Sequence, residues 1–125
     1  MKKFILLSII AVIGCTSTDG NIVGTWRSEQ DNSEGSISMW SIIKIQIYDN
    51  GRYNRTTKLY ISGTIQDIKE EGFWEKDNDR ITFTETSTES GTPLVTSYTI
   101  KELSEHALVL SDSDNKYKWK YERIQ

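Results

Sequence analysis

Residues 116–122, KYKWKYE, decide the fold class. Tyr117, Trp119 and Tyr121 alternate without a break with Lys116, Lys118, Lys120 and Glu122. Successive side chains of a strand point to opposite faces, so a strand collects the three rings on one side and the charges on the other. A helix would scatter the rings around its circumference. The spacing therefore predicts a strand with one face for a core and one basic face for water.

The same period extends back along the chain. Residues 107–111 (ALVLS) bring Leu108 and Leu110 together, and the Asp/Ser/Asn run 111–115 turns the chain into the last strand. Residues 94–100 group Leu94, Tyr98 and Ile100, and residues 80–86 offer Ile81 and Phe83. Residues 72–76 (GFWEK) lead to an acidic tip at 77–79, and residues 52–61 follow Asp49-Asn50-Gly51. The Asn-Gly pair there favours a type I′ turn, in which both central residues take positive φ. Residues 22–28 and 64–68 bring the expectation to eight or nine strands, with turn signals every 8–12 residues or so. Connections this short make sequence neighbours sheet neighbours. The expected fold is all-β, an antiparallel up-and-down barrel, since closure removes the exposed edges of an open sheet. Two polar segments, 29–36 and 87–93, read as loops. Trp40 and Ile42 are out of phase with Ile43, Ile45 and Ile47, which requires a β-bulge within residues 39–48 or a stretch covered on both faces beneath the 29–36 loop.

The N-terminus follows another logic. Lys2 and Lys3 precede an apolar run, residues 4–13, broken only by Ser8. A spanning helix needs about 20 apolar residues, so residues 1–14 match the short hydrophobic region of an export signal. Val12-Ile13-Gly14-Cys15 resembles the lipobox of bacterial lipoproteins, which implies that Cys15 is acylated, with palmitate among its chains, and begins the mature protein. Otherwise Cys15 is a free thiol that happens to follow a signal peptide. Residues 15–21 would then be a lipidated stub and tether, and residues 22–125 the barrel domain. Thr16 after the cysteine implies, by resemblance to lipoprotein sorting rules, the outer membrane of a bacterial envelope, on its periplasmic or its outer face. Cys15 is the only cysteine, so no intramolecular disulfide can form. The chain carries a formal net charge of −3, and loss of Lys2 and Lys3 makes the remainder more acidic, which argues against a nucleic-acid partner.

Asn21-Ile22-Val23-Gly24-Thr25-Trp26-Arg27 resembles the G-x-W motif that opens lipocalins and lipocalin-like proteins. The resemblance implies that Trp26 plugs the closed end of the barrel and that Arg123, from the last strand, packs across it. With the lipobox, the chain looks most similar to the small lipocalin-like lipoproteins of Gram-negative bacteria. It lacks the disulfides of larger lipocalins.

Catalytic groups are sparse. His106 is the only histidine and lies in a polar turn, Ser-Glu-His-Ala. The acidic tips 77–79 and 112–115 lack the Asp-x-Asp-x-Asp-Gly spacing of a calcium loop, and adjacent Glu70 and Glu71 cannot face one site from a strand. No enzyme, metal site or cofactor is expected. Two binding roles remain open. In one, the membrane-anchored barrel carries a small apolar or amphipathic ligand, with Trp40, Tyr60 and Trp74 at the mouth or along the lining. In the other, a solid barrel docks an envelope protein or a glycan through its loops. A carrier should enclose about 300 Å³ or more.

Overall fold

The computed structural model describes residues 21–31, 33 and 35–124, so the expectations for the export signal, Cys15 and most of the tether lie outside the described residues. Eight strands follow in chain order: β1 Gly24–Asp31, β2 Met39–Ile47, β3 Arg52–Ile61, β4 Thr64–Asp77, β5 Arg80–Glu85, β6 Leu94–Leu103, β7 Ala107–Ser111 and β8 Lys118–Arg123. Each pairs antiparallel with the next, and β8 returns to β1 to close the barrel. The architecture is an up-and-down barrel, consistent with a lipocalin-like fold.

The core is the inward register of these strands. Trp26, Ile45, Ile47, Tyr53, Ile81, Ile100, Leu108 and Leu110 are all buried to within 2 % of full exclusion from solvent. They concentrate in the half of the barrel where β1 begins and β8 ends, the closed end. Side chains of this size contribute about 1.5–3 kcal/mol each on full burial.

Several local expectations change. Residues 64–68 and 72–76 belong to one 14-residue strand, β4, so nine candidate strands become eight. The apolar alternation lapses between them because Glu70 takes an inward position and Gly72 carries the bend. A Cβ on Gly72 would sit 1.9 Å from the Thr84 carbonyl oxygen, so only glycine lets β4 press this close to β5. The 29–36 loop is shorter than expected, because Glu29, Gln30 and Asp31 continue β1 opposite Ile42, Ser41 and Trp40. Strand β2 pairs with both neighbours in unbroken register, so it contains no bulge. The bulge lies instead in β6, between Ile100 and Glu102. Turn chemistry moves too. At residues 49–51 only Gly51 has positive φ, and the Gly51 N–H donates to the Tyr48 carbonyl at 3.3 Å, the three-residue hairpin geometry. The pair with positive φ at both positions, as type I′ requires, is Ser62–Gly63 at the β3–β4 tip.

Strands β1 to β4 outgrow β5. β4 pairs with β3 from Thr64 to Phe73 but meets β5 only from Gly72 onward. Beyond that level, β1 to β4 form a raised wall. Gly72→Ala is expected to destabilise the protein by about 3 kcal/mol, the upper range for overpacking against backbone that cannot move aside, measured as a lower urea midpoint. A variant as stable as the parent would show that β4 can retreat from β5.

Candidate functional site

The closed end is organised by Trp26 and Arg123. The Trp26 ring is fully buried, and its Nε1 donates to the Ile22 carbonyl at 2.9 Å. The Arg123 guanidinium lies 4.2 Å from the indole centroid. Its Nε donates to the Glu105 carbonyl at 2.7 Å, Nη1 to Val23 at 2.7 Å and Nη2 to Asn21 at 2.5 Å. One planar fork thus joins the first described residues, the β6–β7 turn and the last strand. Gly24 enters β1 at φ 147°, a backbone region that L side chains rarely adopt. The chain therefore enters the barrel at this sealed end.

The opposite half is open. Ile68 and Leu94 stand on the inward register, yet they are 43 % and 57 % exposed. Both stand at the rim, Ile68 beyond the level where β4 meets β5 and Leu94 at the start of β6. The space between the raised wall and this low rim is termed the cup. On the raised wall its lining is aliphatic, with Ile43, Leu59 and Ile68 on β2, β3 and β4. A chain of edge-on ring contacts crosses the interior, from the buried Tyr53 and Phe83 to the half-buried Tyr98 and Trp119. Tyr53 meets Phe83 edge-on at 4.7 Å, Phe83 meets Tyr98 at 6.0 Å and Tyr98 meets Trp119 at 5.6 Å.

Charge also faces inward. Arg55 and Glu70 are cross-strand partners on the inner face, and Arg55 Nη2 donates to Glu70 Oε2 at 2.5 Å, with both side chains about four-fifths removed from water. Burial works against the guanidinium charge, but the Glu70 carboxylate beside it overcomes that cost and holds Arg55 cationic beyond its ordinary range. Glu85 ends β5 on the inward register, where Oε2 accepts from the Ser87 hydroxyl at 3.2 Å. No group of three or more His, Cys, Asp or Glu among the described residues is placed to hold a metal ion.

Of the three residues expected at the mouth or along the lining, Trp74 stands on the inward register opposite Phe83, whereas Trp40 and Tyr60 do not face the interior. Trp40 and Tyr60 are a cross-strand pair stacked at 4.1 Å with 7° between their planes, on the outer face. Their phase follows from the bulge-free β2: Ser41 takes the inward position, and Trp40 is covered by Tyr60 instead of the interior. Trp40 also borders an open depression of about 480 Å³ with Glu29, Gln30 and Asp31. Trp74 packs against the core near the closed end, where its Nε1 donates to the Tyr48 carbonyl at 2.7 Å. The cup residues that the sequence reading passed over, Arg55, Glu70 and Glu85, carry a signal nonetheless. Strict alternation from the core residue Tyr53 puts Arg55 on the buried face, and a buried arginine requires a carboxylate nearby.

The tyrosines around the ion pair predict an alkaline limit. Burial, then the Glu70 charge, pushes the Tyr53 hydroxyl up to about 12, and burial pushes Tyr121 up further still. An unfolded chain releases these protons near pH 10, the ordinary value, while the folded protein retains them. Their contribution to stability is thus complete below about pH 10 and is lost as pH rises toward the folded-state values. Urea midpoints should hold to pH 9 and fall steeply between pH 10 and 12. Tyr53→Phe should flatten that fall; an identical profile in the variant would exclude Tyr53 as a source.

No protein-family model matches the chain, and no curated protein matches it. Solved structures do, among them a crystal structure of an uncharacterized protein from Bacteroides eggerthii DSM 20697. The likeness covers 83 % of this chain and 100 % of that one at 14 % identity, with a TM-score of 0.54. Similarity at this level shows a shared fold and nothing of function.

Proposed function

We propose that this protein is a lipid-anchored, lipocalin-like envelope lipoprotein that binds a small amphipathic molecule in the open half of its barrel. One observation carries the reading: the solvent exposure of Ile68 and Leu94 on the inner face. The apolar walls would take a hydrocarbon portion and the charged groups below a polar one, the usual composition of a small-molecule site.

The anchor, if Cys15 carries it, bears on how the cup is presented. Asn21 is held at the closed end by Arg123, and the tether of residues 16–21 spans about 20 Å at about 3.4 Å per residue. The sealed end would then sit on the headgroups and the mouth would face away from the leaflet. A ligand would enter from the aqueous side. More than one acyl chain would make the attachment stable.

A second reading, docking of an envelope protein or glycan, draws support from the outer face. Asp31, Trp40, Tyr60 and Ile65 form one row across β1 to β4, and Ile65 is 58 % exposed.

The two readings separate on one titration. A lipophilic probe should change the fluorescence of Trp119, and Thr57→Phe, which fills the cup between Ile43 and Ile68, should weaken binding about tenfold or more with an unchanged circular dichroism spectrum. Equal binding by the Thr57 variant would move the ligand outside the barrel. Cys15→Ser should leave the membrane fraction; a variant that still sediments with membranes would refute the anchor.

A further inference from the structure

We infer that the cup selects amphiphiles with a cationic head group, and that Glu85 is the residue that confers the choice. The inference rests on the proposed binding role and narrows it to a ligand class. Three charged side chains stand on the inward register of the open half: Arg55, Glu70 and Glu85. They are not equivalent. Arg55 and Glu70 neutralise each other through the contact at 2.5 Å. Glu85 has no cationic partner among the described residues; the side-chain contact it makes is with the neutral Ser87 hydroxyl. The inward-facing charge of the open half is therefore one negative charge in excess.

Its position reinforces the sign. Gly72 stands opposite both Tyr53 and Glu85 on the inner face and contributes no side chain between them. No side chain from β4 thus stands between Glu85 and Tyr53, and the Glu85 charge helps Tyr53 to retain its proton. On the inner face beyond it stand two half-buried rings, Tyr98 and Trp119, in edge-on contact at 5.6 Å. Ring faces carry negative electrostatic potential and attract ammonium groups, most strongly where water is partly excluded. A carboxylate beside several rings is a site for an amine or a quaternary ammonium.

An anionic head group meets the opposite situation. Its partner would be Arg55, which Glu70 already holds. Recruiting that guanidinium strips Glu70 of its partner and leaves a buried carboxylate uncompensated, a costly exchange. A carboxylate entering the mouth also approaches Glu85. A cation leaves the Arg55–Glu70 pair intact and adds a new one.

The test compares three probes with the same tail, below their micelle concentrations, on full-length protein carrying Cys15→Ser: dodecyltrimethylammonium, dodecanoate and dodecyl maltoside. Titration calorimetry in moderate salt should rank the ammonium at least about tenfold tighter than the other two, about 1.4 kcal/mol. Glu85→Gln should remove that advantage while leaving dodecyl maltoside binding unchanged. Tightest binding by dodecanoate, or equal binding of all three, would overturn the head-group inference and leave the cup standing. So would an ammonium preference that survives Glu85→Gln. Failure of all three probes to bind would overturn the binding role itself.

Discussion

The fold depends on one arginine laid over one indole. The seam between β1 and β8 consists of two residue pairs, Trp26 with Arg123 and Arg27 with Glu122, whereas β3 and β4 pair over ten. So short a ladder cannot by itself hold the ends of a sheet together. Arg123 supplies what the ladder lacks. A guanidinium over an indole face contributes about 0.5–2 kcal/mol, and hydrogen bonds from a charged donor contribute about 1.5–3 kcal/mol each. Its three carbonyl acceptors lie in residues 21, 23 and 105, so one side chain ties together three separate segments at the closed end. Lysine could supply the charge but not the fork, and it offers no flat cation to stack on the ring.

Tight closure at one end permits openness at the other. The bottom of the barrel is filled by Trp26, Ile47, Tyr53, Ile81 and Leu108, and the strands there are all paired. Above that level the sheet divides. β5 stops pairing with β4 at Gly72, β1 to β4 continue as a wall, and on its inner face Ile68 is wet while Ser41 is buried. Gly72 is the pivot of this arrangement, because a side chain at that position would hold β4 away from β5 and change the curvature through which the wall rises. The stability of the closed half and the accessibility of the open half are thus two consequences of one shear in strand length.

Much of this was legible from residue order. Alternation located the strands, because a period of two is hard to mimic, and the KYKWKYE pattern located the last of them, although β8 begins only at Lys118 and leaves Tyr117 exposed instead of on the core face. The barrel and its meander followed from short turns. What escaped were the positions where a local signal is overruled by a neighbour. Asn50-Gly51 has the composition of a type I′ turn, yet the ladder between β2 and β3 ends one residue earlier and leaves a three-residue loop. Trp40 is apolar and looked destined for the interior, but the phase is set by Ile43, Ile45 and Ile47, and the Tyr60 ring gave it a partner on the outside. The interior charges were hidden for a related reason. Adjacency shows only that Glu70 and Glu71 face opposite ways, and the cross-strand register with Arg55 shows that Glu70 is the one that faces in.

That buried pair constrains what the interior is for. Replacing a buried ion pair with apolar side chains of similar volume is often neutral or stabilising, by about 1–4 kcal/mol. A barrel built only to be solid would gain from such a replacement at positions 55 and 70. Instead Arg55 and Glu70 sit at the level where the filled core gives way to the open cup, surrounded by Tyr53, Tyr98 and Tyr121. Charges at that boundary are affordable because one side is hydrated, and they keep the floor of the cup polar where an apolar floor would collapse onto itself. The ion pair is better understood as what separates the two halves than as what holds either of them together.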